Sequence, residues 1–127
     1  MNEEVVSKGI VLRVTPYKEN DGILSIYLRD YGKLSVLATG IRKTKSKNAA
    51  GCQPMICGEF TLFLRQGLCR LVRAVPDNCY RYLQTDLRSQ AVATFILEYY
   101  YRGIEDNQPN LENYNFLLNI LEKLKQG

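Results

Sequence analysis

Histidine is absent from the 127 residues. Its absence removes the side chain that ordinarily serves as general base near neutral pH and as partner to a serine or cysteine nucleophile. Carboxylates remain, but no pair stands in a recognisable acid–base motif. Glu19 and Asp21, with Asn20 between them and Gly22 after, fit a turn whose side chains bond to nearby backbone better than a catalytic or metal-binding pair. A carboxylate- or metal-dependent nuclease would need more clustered acids, so an enzyme is not expected. Cysteine is scarce: Cys52, Cys57, Cys69 and Cys79 form no Cys-x-x-Cys pair. Reduced thiols packed as small hydrophobes are expected, with no metal and no cofactor in this chain. No apolar run approaches the roughly 20 residues needed to span a bilayer, so no membrane partner is expected. The acidic start, Met1-Asn2-Glu3-Glu4, carries no apolar signal segment, which points to a cytoplasmic protein.

What is present is positive charge, unevenly placed. Residues 1–79 hold 12 Lys/Arg against 7 Asp/Glu, an excess of five, whereas residues 80–127 hold 5 against 6. The excess in the first part suits a polyanionic partner.

Hydrophobic periodicity divides the chain at the same place. Val5–Thr15 alternates, with Ile10, Leu12 and Val14 on one face and Val11, Arg13 and Thr15 on the other. A run of turn formers from Thr15 to Gly22 ends it. Ile23–Arg29 alternates around Leu24, Ile26 and Leu28, and Asp30-Tyr31-Gly32 reverses the chain. Leu34–Thr39 follows, with Leu34, Val36 and Ala38 on one face. After a long connection over residues 41–53, Met55–Leu64 alternates around Phe60, Leu62 and Leu64, and a Gln66-Gly67 turn leads back through Leu68–Val75. Five strands with one long connection after the third predict an OB-fold, a five-stranded Greek-key barrel, with an SH3-like barrel as the structural alternative. The predicted domains are a barrel over residues 1–79 and a helical segment over 80–127.

That segment predicts a short helical turn at Tyr80–Thr85, a helix from Asp86 to Tyr101, and a helix from Leu111 to Lys125 capped by Asn110. Residues 91–97 are apolar on nearly every side, which predicts burial all round. Tyr99-Tyr100-Tyr101 point in three directions and cannot form one stacking platform. One amphipathic helix cannot cover all this apolar surface. The expectation is therefore the front part of a longer protein, with a homodimer as the other way to cover it.

The sharpest functional signal is Gly40-Ile41-Arg42-Lys43-Thr44-Lys45-Ser46-Lys47. Four cations fall within six residues without an intervening anion. Such a loop cannot enter a core, because burying unpaired ammonium groups is prohibitive. It extends into water, where it can follow a phosphate backbone, and it leaves the barrel beside the surface on which OB-folds bind their ligands. Arg13, Arg29, Lys33, Arg65 and Arg70 lie on or beside strands, with Tyr17, Tyr27 and Tyr31 near them. Cations interleaved with aromatics are the ordinary means of binding single strands without sequence preference. The candidate nucleic-acid contacts are Arg13, Arg29, Lys33, Arg42, Lys43, Lys45 and Lys47.

These same residues carry a resemblance. Lys8-Gly9-Ile10-Val11-Leu12-Arg13, Tyr17-Lys18-Glu19-Asn20-Asp21-Gly22-Ile23-Leu24 and the run from Tyr31-Gly32-Lys33-Leu34 through Gly40-Ile41-Arg42-Lys43-Thr44-Lys45-Ser46 are similar to the RecO family of bacterial DNA repair proteins. Gln53-Pro54, the Gly67-Leu68 turn and Pro109-Asn110 before a leucine-rich helix fit the same pattern. The resemblance implies an N-terminal OB-fold followed by a helical domain. It also implies a recombination mediator of RecF-pathway repair that binds single- and double-stranded DNA and anneals complementary strands. With RecR, such a mediator helps RecA replace single-stranded-DNA-binding protein (SSB), in the cytoplasm and at the nucleoid. The family's basic positions fall on Lys33, Arg42, Lys43 and Lys45, then on Arg13 and Lys47. Gly22 departs from the pattern, since many members carry a basic or bulkier residue there. Many members also carry a four-cysteine zinc site later in the helical part, so the resemblance leaves room for zinc in a longer protein. The second reading is an OB-fold module that docks a protein partner, its basic loop serving only solubility.

Overall fold

The computed structural model describes residues 3–43, 46–78 and 86–125. Strands β1 (Glu3–Tyr17), β2 (Asp21–Leu28), β3 (Gly32–Ala38), β4 (Cys57–Leu64) and β5 (Leu68–Asn78) precede helices α1 (Leu87–Gly103) and α2 (Leu111–Lys125), with a 3-10 turn at Ala49–Cys52 between β3 and β4. The strands close in the order β1-β2-β3-β5-β4. β1 is long enough to pair with β2 through its second half and with β4 through its first. β3 and β5 pair in parallel, Ser35 opposite Leu68 and Leu37 opposite Arg70, so the chain must cross the barrel end between β3 and β4. This is the OB-fold.

The alternation predicted for β2, β3 and β4 fills the barrel: Leu24, Ile26, Leu28, Leu34, Val36, Ala38, Phe60 and Leu62 form one core. β1 departs from the expected pattern. Val5 and Val11 belong to that core, Ile10 and Leu12 face the helices, and Val14 packs back inside. The cause is a bulge. Val11 pairs with Ile26 and Arg13 with Ser25, leaving Leu12 as an extra residue that flips the alternation. Residues ahead of β4 hold it in place: the Met55 N–H donates to the Val11 carbonyl at 3.0 Å and the Val11 N–H donates to the Ile56 carbonyl at 3.1 Å. Met55 takes a left-handed φ of 74°, so β4 begins at Cys57 rather than at Met55.

α1 begins where Asp86 Oδ2 accepts from the Ser89 N–H at 3.2 Å, and Asn110 Oδ1 accepts from Asn113 N–H at 3.0 Å to cap α2. Ala93, Leu97 and Tyr100 of α1 and Tyr114, Leu117 and Leu121 of α2 pack with Ile10, Leu12 and Tyr27 on the outer side of the barrel. Burial lifts the Tyr27, Tyr100 and Tyr114 phenols above their ordinary pKa. α1 is not buried on all sides as its sequence suggests. Leu87, Phe95 and Tyr99 are 82%, 73% and 67% exposed, because the barrel and α2 cover only the face bearing Ala93, Leu97 and Tyr100. Tyr99, Tyr100 and Tyr101 do diverge: the first is exposed, the second buried and the third half-buried. The turn expected at 80–85 lies outside the described residues.

Candidate nucleic-acid interface

The β1–β2 turn sets the start of the basic loop. Asp21 Oδ1 accepts from the Gly40 N–H at 2.7 Å, and the Arg42 N–H donates to the Asn20 carbonyl at 2.8 Å. The Arg42 guanidinium reaches back to the Lys18 carbonyl at 3.3 Å. Gly40, with φ 69°, turns the chain out of β3, and Ile41 plugs into the barrel core. Gly22 lies beneath it: a Cβ there would come within 3.1 Å of Ile41 Cγ2, so this turn is kept narrow. Farther on, Asn48 Oδ1 accepts from the Ala74 N–H of β5 at 3.2 Å, and Cys52 is buried against the barrel. The loop is therefore pinned at both ends.

Between those pins Arg42, Lys43 and Lys47 are exposed, and none of the five ion pairs among the described residues involves them. Lys45 lies outside the described residues. Three unpaired cations on a pinned segment attract a polyanion without the protein's own carboxylates competing.

The remaining predicted contacts are placed differently. Arg13 stacks over the Tyr101 ring at 4.8 Å and pairs with Glu98 at 3.7 Å. Arg29 is exposed but forked onto Asp30, its Nε at 3.2 Å and Nη2 at 3.4 Å from the two carboxylate oxygens. Lys33 is a correction. It is 8% exposed, its Nζ donates to the Tyr101 carbonyl at 2.5 Å, and Asp106 lies 3.5 Å away. The α1–α2 connection covers the head of β3, where the Asn107 N–H donates to the Lys33 carbonyl at 3.0 Å, so this ammonium ties the helices to the barrel. Replacing Lys33 with Met is expected to lower stability in urea by about 1–2 kcal/mol, because it removes a charge-assisted bond to the part-buried Tyr101 carbonyl. The salt dependence of polyanion binding should stay at the parent value.

The aromatics separate likewise. Tyr27 is fully buried, Tyr31 packs partly on the barrel core, and Tyr17 is exposed with Lys18 Nζ 5.5 Å from its ring centroid. Cys52, Cys57 and Cys69 are buried, and burial pushes the Cys52 thiol up to about 12, as expected of inert packing residues. Cys79 lies outside the described residues. Among the described residues no group of three or more His, Cys, Asp or Glu could hold a metal ion, and no helix is long and apolar enough to cross a membrane. Asn48 carries no signal in the sequence, since its partner in β5 is 26 residues away.

A closed OB barrel bearing a pinned loop of unpaired cations defines the class. The family model described as Recombination protein O N terminal matches residues 1–80, and the chain belongs to that family. It is 37% identical over 120 residues to the DNA repair protein RecO of Listeria monocytogenes (serotype 4b, strain F2365), covering 94% of this chain and 47% of that protein. The DNA repair proteins RecO of Bacillus pumilus (strain SAFR-032) and Bacillus subtilis (strain 168) are each 33% identical, over 97% and 94% of this chain and 48% and 47% of their own lengths. The chain spans about half the length of the curated relatives it matches.

Proposed function

We propose that this chain binds DNA through the basic loop of its barrel, without sequence preference, and serves recombinational DNA repair. The observation that carries the reading is the loop itself: Arg42, Lys43 and Lys47 exposed, unpaired among the described residues, and held between the β1–β2 turn and β5. Names support the repair context, since the curated relatives above are DNA repair proteins. Within that context the chain binds single and double strands, brings complementary strands together by neutralising their phosphates, and acts with RecR to help RecA replace SSB. The role is non-catalytic and cytoplasmic. In support, the chain has no histidine to act as a base.

Fluorescence anisotropy of a labelled oligonucleotide, titrated with salt, tests the reading. Replacing Arg42, Lys43 and Lys47 together with Ala should lower affinity equally for unrelated sequences. For single strands it should reduce the slope of log K against log salt by about 2, at roughly 0.7 per phosphate contact. Unchanged affinity at low salt would remove the loop from the mechanism. A second reading, protein docking, is favoured by Leu87, Phe95 and Tyr99 on the uncovered side of α1, and the same titration separates it from the first.

A further inference from the structure

The basic surface continues past the loop onto β5. In a regular strand Arg70 and Arg73, three residues apart, would point to opposite faces. Here the β4–β5 register shifts: Leu62 pairs with Leu71 and Thr61 with Arg73, so Val72 is an extra residue. Cys69, Leu71 and Ala74 all enter the barrel core, while Arg70, Val72 and Arg73 are all exposed. The bulge thus turns Arg73 onto the outer face that already carries Arg70.

Neither arginine has a carboxylate within pairing distance among the described residues. Arg70 lies over the Phe63 ring at 4.9 Å, which holds the guanidinium on the outer face, and among the described residues its in-plane donors are free. Arg73 precedes Ala74, whose N–H donates to Asn48, and Gly51 packs so tightly there that a Cβ would come within 2.9 Å of Ala74 Cβ. Asn48 itself directly follows Lys47, the loop's last cation. The anchor that pins the loop therefore brings its basic end beside Arg73. On the far side, Glu4 and Glu59 lie exposed on β1 and β4, opposite Phe63 and Val75, and border the basic surface with negative charge.

We propose that Arg73 and Arg70 form a second phosphate-binding segment for one nucleic-acid strand, continuous with the basic loop and created by the bulge at Val72. The proposal rests on the DNA-binding reading above and extends it to a surface outside the loop. A strand then runs from the β1–β2 turn along the loop and down the outer face of β5, kept from β4 and β1 by Glu59 and Glu4.

The test uses the whole chain and a labelled oligothymidylate, with anisotropy read across a salt series. Arg70→Ala with Arg73→Ala should lower the log–log slope by about 1.4 and weaken binding roughly 25-fold at 0.1 M salt, from about 0.7 per contact to a single strand. Arg70→Lys with Arg73→Lys should retain most of the affinity. The loss should add to that of Arg42→Ala with Lys43→Ala. If the loop variant weakens binding while the β5 variant matches the parent, the second segment is overturned and the loop reading stands. If the β5 variant weakens binding while the loop variant does not, the segment holds and the loop reading fails. Should the Ala pair lose its native circular dichroism, Arg70→Gln with Arg73→Gln carries the same comparison.

Discussion

Tyr27→Ala is expected to destabilise the protein by about 3–5 kcal/mol, a large share of the stability of a domain this size. Tyr27 has no exposed surface, and it is where barrel and helices meet. Its ring lies 5.9 Å from that of Tyr100 on α1 and 5.8 Å, edge-on, from that of Tyr114 on α2. Removing it leaves a cavity in the middle of the core that barrel and helices share. Its hydroxyl, by contrast, reaches the Asn110 carbonyl only at 3.5 Å. Tyr27→Phe should therefore cost under about 1 kcal/mol. Urea denaturation followed by circular dichroism checks both. Equal losses for Ala and Phe would mean that the hydroxyl, not the ring, holds the helices.

Gly32→Ala is expected to cost about 3 kcal/mol or more. Gly32 has φ 76°, where an L side chain is strained, and an added Cβ would lie 2.7 Å from backbone atoms of Gln108. Those atoms belong to the α1–α2 connection that also covers Lys33 through the Asn107 N–H bond. Relief requires that connection to lift off the head of β3. Gly67 supplies the control, since its φ is 86° but nothing lies within 4 Å of its added Cβ. Gly67→Ala should cost only the conformational strain, about 1 kcal/mol. Matching melts for the two variants would show that the close approach at Gly32 contributes nothing.

Much of the barrel was legible because alternation is a local signal: Leu24, Ile26 and Leu28, then Leu34, Val36 and Ala38, then Phe60 and Leu62 enter the core as their spacing predicts, with Leu64 partly buried against it. Val14 and Leu12 part company because the bulge in β1 is fixed by Met55 and Ile56, more than forty residues away in sequence. No local pattern carries that information. The basic loop was legible from composition, since a run of unpaired cations has nowhere to go but water. Lys33, with the same charge, was not. Its fate depends on Tyr101 and Asp106, which chain topology brings over it. Arg73 was missed because its side of β5 is decided by an extra residue that periodicity cannot place.

The split pairing of β1 bears on how the chain is made. Its first half, Glu3–Ile10, waits for residues 57–64 to emerge, while its second half can zip with β2 almost at once. At about 5–20 residues per second, ribosomal synthesis leaves that leading edge unpaired for several seconds. Over that interval the nascent chain presents a bare strand, Val5 and Val6 among its residues, that a chaperone or a neighbouring polypeptide could engage before the barrel seals.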